Sequence, residues 1–232
     1  MNKNLIYLFL SVSFLLIGTA LNAQDCDFYF PHEKGTTIET TNYDKKGDET
    51  GKSTATILEN TTIGNATVVK VASEYKDVKG DSTLKHEFTV KCENGEFYIN
   101  MDSYLNQQSM SAYQNMEVDI DVEQMTLPSN LKAGQILGNG RVTAKVSNSG
   151  INIMTMNVDI TNRKVDGFEK VTTPAGTFDC VKISYDMEMK MMFKIKMSGV
   201  QWFAKNVGAV KTESYNKKGK LEGSSLITKI IK

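Results

Sequence analysis

The sequence predicts an all-β protein: a single domain of about twelve antiparallel strands in a strongly curved sheet or an incompletely closed barrel, with little helix. Three observations carry that expectation. Apolar and polar residues alternate with period two along most of the chain, the mark of strands with one buried and one wet face. Turn signals separate the alternating runs. No linker, low-complexity segment or charge block divides them into separate units.

The chain opens on a leader. Lys3 precedes an apolar run over residues 5–20, and the small and polar residues Gly18-Thr19-Ala20-Leu21-Asn22-Ala23 close it. This layout predicts a secretory signal peptide over residues 1–23, leaving residues 24–232 as the single all-β domain. The run is about 16 residues, short of the roughly 20 that span a bilayer. No later run approaches that length, so no transmembrane segment is expected in the mature chain. Asp25 precedes Cys26, where a lipid-modified cysteine has a small residue.

The strands follow. His86, Phe88, Val90 and Cys92 alternate with Lys85, Glu87, Thr89 and Lys91; Met116, Val118, Ile120 and Val122 with acidic residues; and Val142, Ala144 and Val146 with polar ones. Asn94-Gly95 is a two-residue hairpin signal, with Gly64-Asn65 and Ser149-Gly150 weaker versions of it. Thr173-Pro174-Ala175-Gly176 reads as a Pro-led turn. Asp44-Lys45-Lys46-Gly47 and Asn216-Lys217-Lys218-Gly219 are near copies, each opening on an Asx residue and closing on Gly. Residues 102–115, rich in Ser, Asn and Gln, break the pattern and predict a helical turn or a long loop.

One stretch stands apart. From Val181 to Met197 every odd position is apolar, including Tyr185, Met187, Met189, Met191 and Phe193. The pattern fits one long curved strand, or a hairpin whose turn lacks Gly and Pro. Met is flexible and suits an irregular core or an adaptable binding surface. Tyr185, Met187, Met189, Met191, Phe193 and Trp202 are therefore the candidate ligand-lining residues.

Composition and motifs exclude much. The mature chain carries 26 Lys+Arg against 27 Asp+Glu, so it lacks a nucleic-acid binder's basic balance. The only histidines, His32 and His86, have no metal-ligand spacing. No nucleophile elbow, nucleotide fingerprint or calcium loop is present. The acidic row Glu117, Asp119, Asp121 and Glu123 reads as a solvated face. No catalytic residue, metal or cofactor is expected. The three cysteines, Cys26, Cys92 and Cys180, allow one disulfide and one free thiol in an oxidising compartment. Strand facing weakly favours Cys26–Cys92 over Cys26–Cys180.

Several phrases carry a resemblance. Pro174-Ala175-Gly176-Thr177-Phe178-Asp179-Cys180 is one. Trp202-Phe203-Ala204-Lys205-Asn206-Val207-Gly208-Ala209-Val210-Lys211 is another, and Leu127-Pro128 with Leu131 and Gly134-Gln135 a third. With Cys26 and Pro31 they resemble the TapB-like family of exported bacterial proteins, over nearly the whole mature chain. The resemblance implies a YmcC-like, half-open β-barrel fold, and an exported protein of a Gram-negative envelope: periplasmic, outer-membrane-associated or extracellular. It implies no catalytic residue. The expected role is a non-enzymatic protein holding an apolar ligand or lipid in the concave face of its sheet. The alternative is an assembly partner of envelope machinery, with a protein as its partner and no small-molecule ligand.

Overall fold

The computed structural model describes residues 26–80, 83–105, 110, 113, 115–191 and 193–232. The expected signal peptide, and much of the Ser/Asn/Gln-rich stretch, lie outside the described residues.

The strands are β1 (Thr37–Asp44), β2 (Glu49–Ile63), β3 (Ala66–Asp77), β4 (Thr83–Glu93), β5 (Glu96–Tyr98), β6 (Glu117–Glu123), β7 (Thr126–Pro128), β8 (Gly140–Asn148), β9 (Ile151–Thr173), β10 (Gly176–Lys190), β11 (Lys194–Ala204), β12 (Gly208–Asn216) and β13 (Leu221–Ile231). A 3-10 turn spans Met101–Tyr104. All thirteen strands form one antiparallel sheet in the order β6-β8-β9-β10-β11-β12-β13-β1-β2-β3-β4-β5-β7, open rather than closed. Of the two readings that the sequence left open for residues 181–197, the structure takes the hairpin. Lys190 pairs with Lys194, Met189 with Ile195 and Met187 with Met197.

The turns form where the local chemistry asks for them. Asn94 and Gly95 both take positive φ, +53° and +78°, as do Ser149 and Gly150 at +52° and +77°, the twist that a two-residue hairpin needs. The two copied turns share one device. Asp44 Oδ1 accepts from the Lys46 and Asp48 amides at 2.7 and 3.0 Å, and Asn216 Oδ1 from the Lys218 and Lys220 amides at 2.9 and 3.2 Å.

The main core fills the inner face of the sheet. Val142, Val158, Ile183 and Tyr185 on one wing and Val71, Val90 and Phe97 on the other pack against Met101, Tyr104, Met125 and Leu137 from the irregular segments. Tyr185 lies edge-on to Tyr104, ring centroids 5.7 Å apart, and the Tyr104 hydroxyl donates to Gln201 Oε1 at 2.8 Å. Across from Tyr185 stands Gly199, and a Cβ there would overlap the tyrosine ring. Gly199→Ala is thus expected to cost about 1–3 kcal/mol by overpacking, read as a lower denaturant midpoint at unchanged slope.

The seam between the sheet's two ends is held by Arg163. Asn162 and Arg163 together oppose the single residue Tyr185, a bulge, and Asn162 takes φ +53°. The bulge turns Arg163 inward, where it is 2% exposed. Its guanidinium donates to the Gly138 carbonyl, just before β8, at 2.7 Å and to the Thr126 carbonyl on edge strand β7 at 3.2 Å. Burial holds its pKa below the usual arginine range.

A smaller cluster covers part of the opposite face. There the β9–β10 turn bends back so that Val171, Ala175 and Phe178 pack with Ile38, Cys180, Trp202 and Ile227. Cys26 and Cys92 are joined, Cα atoms 6.0 Å apart, and Cys180 is free and buried.

Candidate functional site

Antiparallel order brings five hairpin turns to one rim, in sheet sequence β8–β9, β10–β11, β12–β13, β1–β2 and β3–β4. Along the odd-position stripe, burial fades toward that rim. Val181, Ile183 and Tyr185 are buried, Met187 and Met189 are half-buried, and Met191, Phe193 and Ile195 are exposed. Phe193 is 76% exposed, and Ile151 on the neighbouring β8–β9 hairpin 71%. The physical reason is pairing length. Strand β12 ends opposite Met197, so the last turn of the β10–β11 hairpin extends past its neighbour.

The reverse side of this hairpin is basic. Glu188 is approached by Lys194 Nζ at 2.7 Å, Lys190 at 3.7 Å and Lys196 at 3.8 Å. The Lys194 hydrogen bond, with the charges of Lys194, Lys190 and Lys196, holds the Glu188 carboxyl below its ordinary pKa. One carboxylate thus faces three ammonium groups. The adjacent β12–β13 turn adds exposed Lys217, Lys218 and Lys220. Over residues 188–196 and 216–222, six lysines stand against two glutamates, a net charge of +4. A shallow groove of about 380 Å³ runs between these hairpins, lined by Thr161, Asp186, Met187, Met197, Asn216 and Lys217 among others.

The candidate lining residues are therefore not one surface. Met187, Met189, Met191 and Phe193 follow each other along the rim hairpin, and Met187 lines the groove. Tyr185 is sealed in the main core, and burial raises its hydroxyl pKa. Trp202 points to the other face. It pairs with Lys182, its indole donates to Glu169, and Lys211 and Lys182 ammonium groups lie 4.6 and 5.1 Å from its ring. Burial makes it an anchor of the smaller cluster. The concave face, where the sequence placed a ligand, is occupied by the protein's own Met101, Tyr104, Met125 and Leu137. Lys190, Lys194 and Lys196 were legible in the sequence as a basic stretch that could pair with the acidic row, but the strand order sets them beside Lys217, Lys218 and Lys220 instead.

Other polar groups are set apart. A second shallow groove, about 400 Å³, crosses β2, β3 and β4 with Thr54, Glu74, Lys85 and His86 in its wall. The acidic row of β6 lies exposed on an edge strand. Burial, with Asp179 and Glu169 nearby, pushes the Cys180 thiol up to about 11, so it stays protonated at neutral pH. Tyr104 is likewise raised to about 12 by burial.

Two crystal structures share this architecture. One, described as a candidate exported protein with a YmcC-like fold from Bacteroides fragilis NCTC 9343, is 25% identical with a TM-score of 0.80, over 89% of this chain and 100% of that one. The other, described as a candidate lipoprotein from Parabacteroides distasonis ATCC 8503, is 26% identical with a TM-score of 0.78, over 90% of this chain and 100% of that one. No curated protein matches the chain. A family model matches residues 33–227, from just before β1 to within β13, and does not carry the TapB-like name that the sequence phrases suggested. With nearly every strand of the sheet inside that match, the chain belongs to the DUF3108-like family.

Proposed function

We propose that this is an exported cell-envelope protein that works by binding rather than catalysis, and that its ligand is lipid-like, held at the β10–β11 rim. The phrases around Pro174 and Trp202 are read as those of a TapB-like member of the family. The single observation behind the binding reading is the exposed end of the Met stripe. Met191, Phe193 and Ile195 leave an apolar surface open beside a lysine cluster, a pairing that suits an apolar chain with an anionic head. Both structural relatives are described as exported or as a lipoprotein, which supports the envelope location.

Native mass spectrometry of the gently purified protein, before and after incubation with palmitate, tests this. The parent should carry a lipid-mass adduct. Met189→Asp should cost about 1–3 kcal/mol, since Met189 is half-buried against the core, yet fold and lose the adduct. Lys190→Asp, on the wet face, should change stability by under about 0.5 kcal/mol. A parent that flies bare in both conditions overturns the reading.

A second reading, an assembly partner of envelope machinery, draws on edge strand β6. Among the described residues its outer backbone has no strand neighbour, and Met116 and Ile120 are part-exposed beside it. Strand addition there would not involve the rim, so the adduct measurement separates the two.

A further inference from the structure

We propose that the five-hairpin rim is a membrane-docking surface, which seats the protein end-on against a bilayer of anionic phospholipid. The inference rests on the lipid-binding reading above and names its partner as the membrane surface itself. Three observations converge. The rim carries exposed apolar side chains on successive hairpins: Ile151 and Ile153, then Met191, Phe193 and Ile195, then Leu221, with Val78 at the β3–β4 turn. The lysines stand among them, on the neighbouring β10–β11 and β12–β13 hairpins, in an excess of four charges. Glu188, already counted in that excess, is a single carboxylate facing three of those lysines.

The opposite rim supplies the contrast. It too exposes apolar residues, Ile63, Phe168 and Ile231, and Lys229 and Lys232 lie near Ile231, but Lys232 is set against Glu33 at 3.7 Å. Its β4–β5 turn is flanked by Glu93 and Glu96, and Lys205 in the β11–β12 turn is paired with Asp27 at 2.7 Å. Apolar side chains with a surround of lysine bind the boundary between headgroups and acyl chains, through buried apolar area plus attraction to anionic lipid. Among the described residues the β10–β11 rim offers both on neighbouring hairpins, with six lysines against two glutamates. In this orientation Phe193 enters the interface, the Lys190, Lys194 and Lys196 ammonium groups meet phosphates, and the open edges β6 and β7 stand upright from the surface.

Vesicle flotation tests it on the mature protein, with vesicles of phosphatidylcholine alone and with about a third phosphatidylglycerol. Binding is expected only to the anionic vesicles, and it should fall as salt rises from about 0.05 to 0.5 M. Two variants on exposed turns spare the core: Phe193→Ser, and the triple Lys217→Glu, Lys218→Glu, Lys220→Glu. Each should weaken binding by about tenfold or more. The control Lys34→Glu with Lys229→Glu, toward the opposite rim, should bind within about twofold of the parent. No binding to anionic vesicles, equal losses in control and rim variants, or a dimer that Phe193→Ser dissolves would each overturn the docking. A parallel arm uses short-chain dihexanoylphosphatidylglycerol below its micelle concentration. Binding of that monomer without vesicle binding overturns the docking alone; loss of both overturns the lipid reading as well.

Discussion

Arg163→Ala is expected to destabilise the fold by about 3–5 kcal/mol, a fall in melting temperature of roughly 10 °C or more for a chain of this length. Arg163 is among the largest fully buried side chains, and its truncation opens a cavity between β9 and the segment leading to β8. It also removes the donors that tie Thr126 on edge strand β7 to Gly138 at the mouth of β8. Those two carbonyls belong to opposite ends of the open sheet, so the loss falls on the seam. Gly140 shows how close that seam is, because a Cβ there would overlap Met125. Two further variants separate volume from hydrogen bonding. Arg163→Met refills the space without donors, and Arg163→Lys keeps a charge but not the planar fork that reaches two carbonyls. Both should fall between parent and Ala. In the Ala variant, amide exchange should quicken first at Ile99 and Leu137, whose backbone bonds lie along the seam. If Ala melts within about 2 °C of the parent, Arg163 does not hold the two ends together.

Arg163 also shows where sequence reading stops. The even positions Met156, Val158 and Ile160 face inward, and then the odd positions Arg163 and Val165 do. That slip in parity was present in the sequence and marks the bulge at Asn162, but a lone arginine in a polar stretch gives no cue that it is the residue turned inward. The β10–β11 hairpin, one of the two readings that the alternation allowed, stayed undecided for the opposite reason. The hairpin pairs Lys190 with Lys194 and Met189 with Ile195, even with even and odd with odd, so the sequence alternation continues from one strand into the next. Period two thus identified which face is apolar but not where the strand reverses. The smaller cluster escaped because alternation assigns two faces and does not tell that the second one is covered. Cys180 and Val181, adjacent and both buried, are its local trace. The strands and the Asx-opened turns were legible because each rests on contacts within a hairpin, whereas the open sheet, which needs the long-range β13–β1 pairing, was implied by the family resemblance. The rim rests on the order of strands, which brings Lys194 and Lys217 together across more than twenty residues of chain.

Removing the Cys26–Cys92 link is expected to cost about 4 kcal/mol. The bond closes a loop of 66 residues, and the chain entropy that such a loop withholds from the unfolded state is of that size. At roughly 2–4 °C per kcal/mol, the melting temperature should drop by about 8–16 °C. The local structure explains why the fold depends on it. The segment that begins at Cys26 adds no strand to the sheet, yet Phe28 and Tyr29 cover Phe97 edge-on at 5.2 and 6.1 Å, and Tyr29 also reaches Phe203. Near Cys26 its polar ties include Asp27 N to Ser129 Oγ at 3.2 Å, Asn206 N to the Phe28 carbonyl at 2.6 Å and the Lys205–Asp27 pair, and further along Asn60 Nδ2 donates to the His32 carbonyl at 2.9 Å. Without the covalent link the segment lifts more easily, and Phe97, on a three-residue strand next to edge strand β7, loses its cover. The double variant Cys26→Ala, Cys92→Ala and the reduced parent should melt together, and reductant should leave the double variant unchanged. Cys180 supplies the internal control, since its buried, protonated thiol takes no part in exchange. A parent whose melting temperature does not move on reduction would show that the aromatic cover alone holds this end of the core.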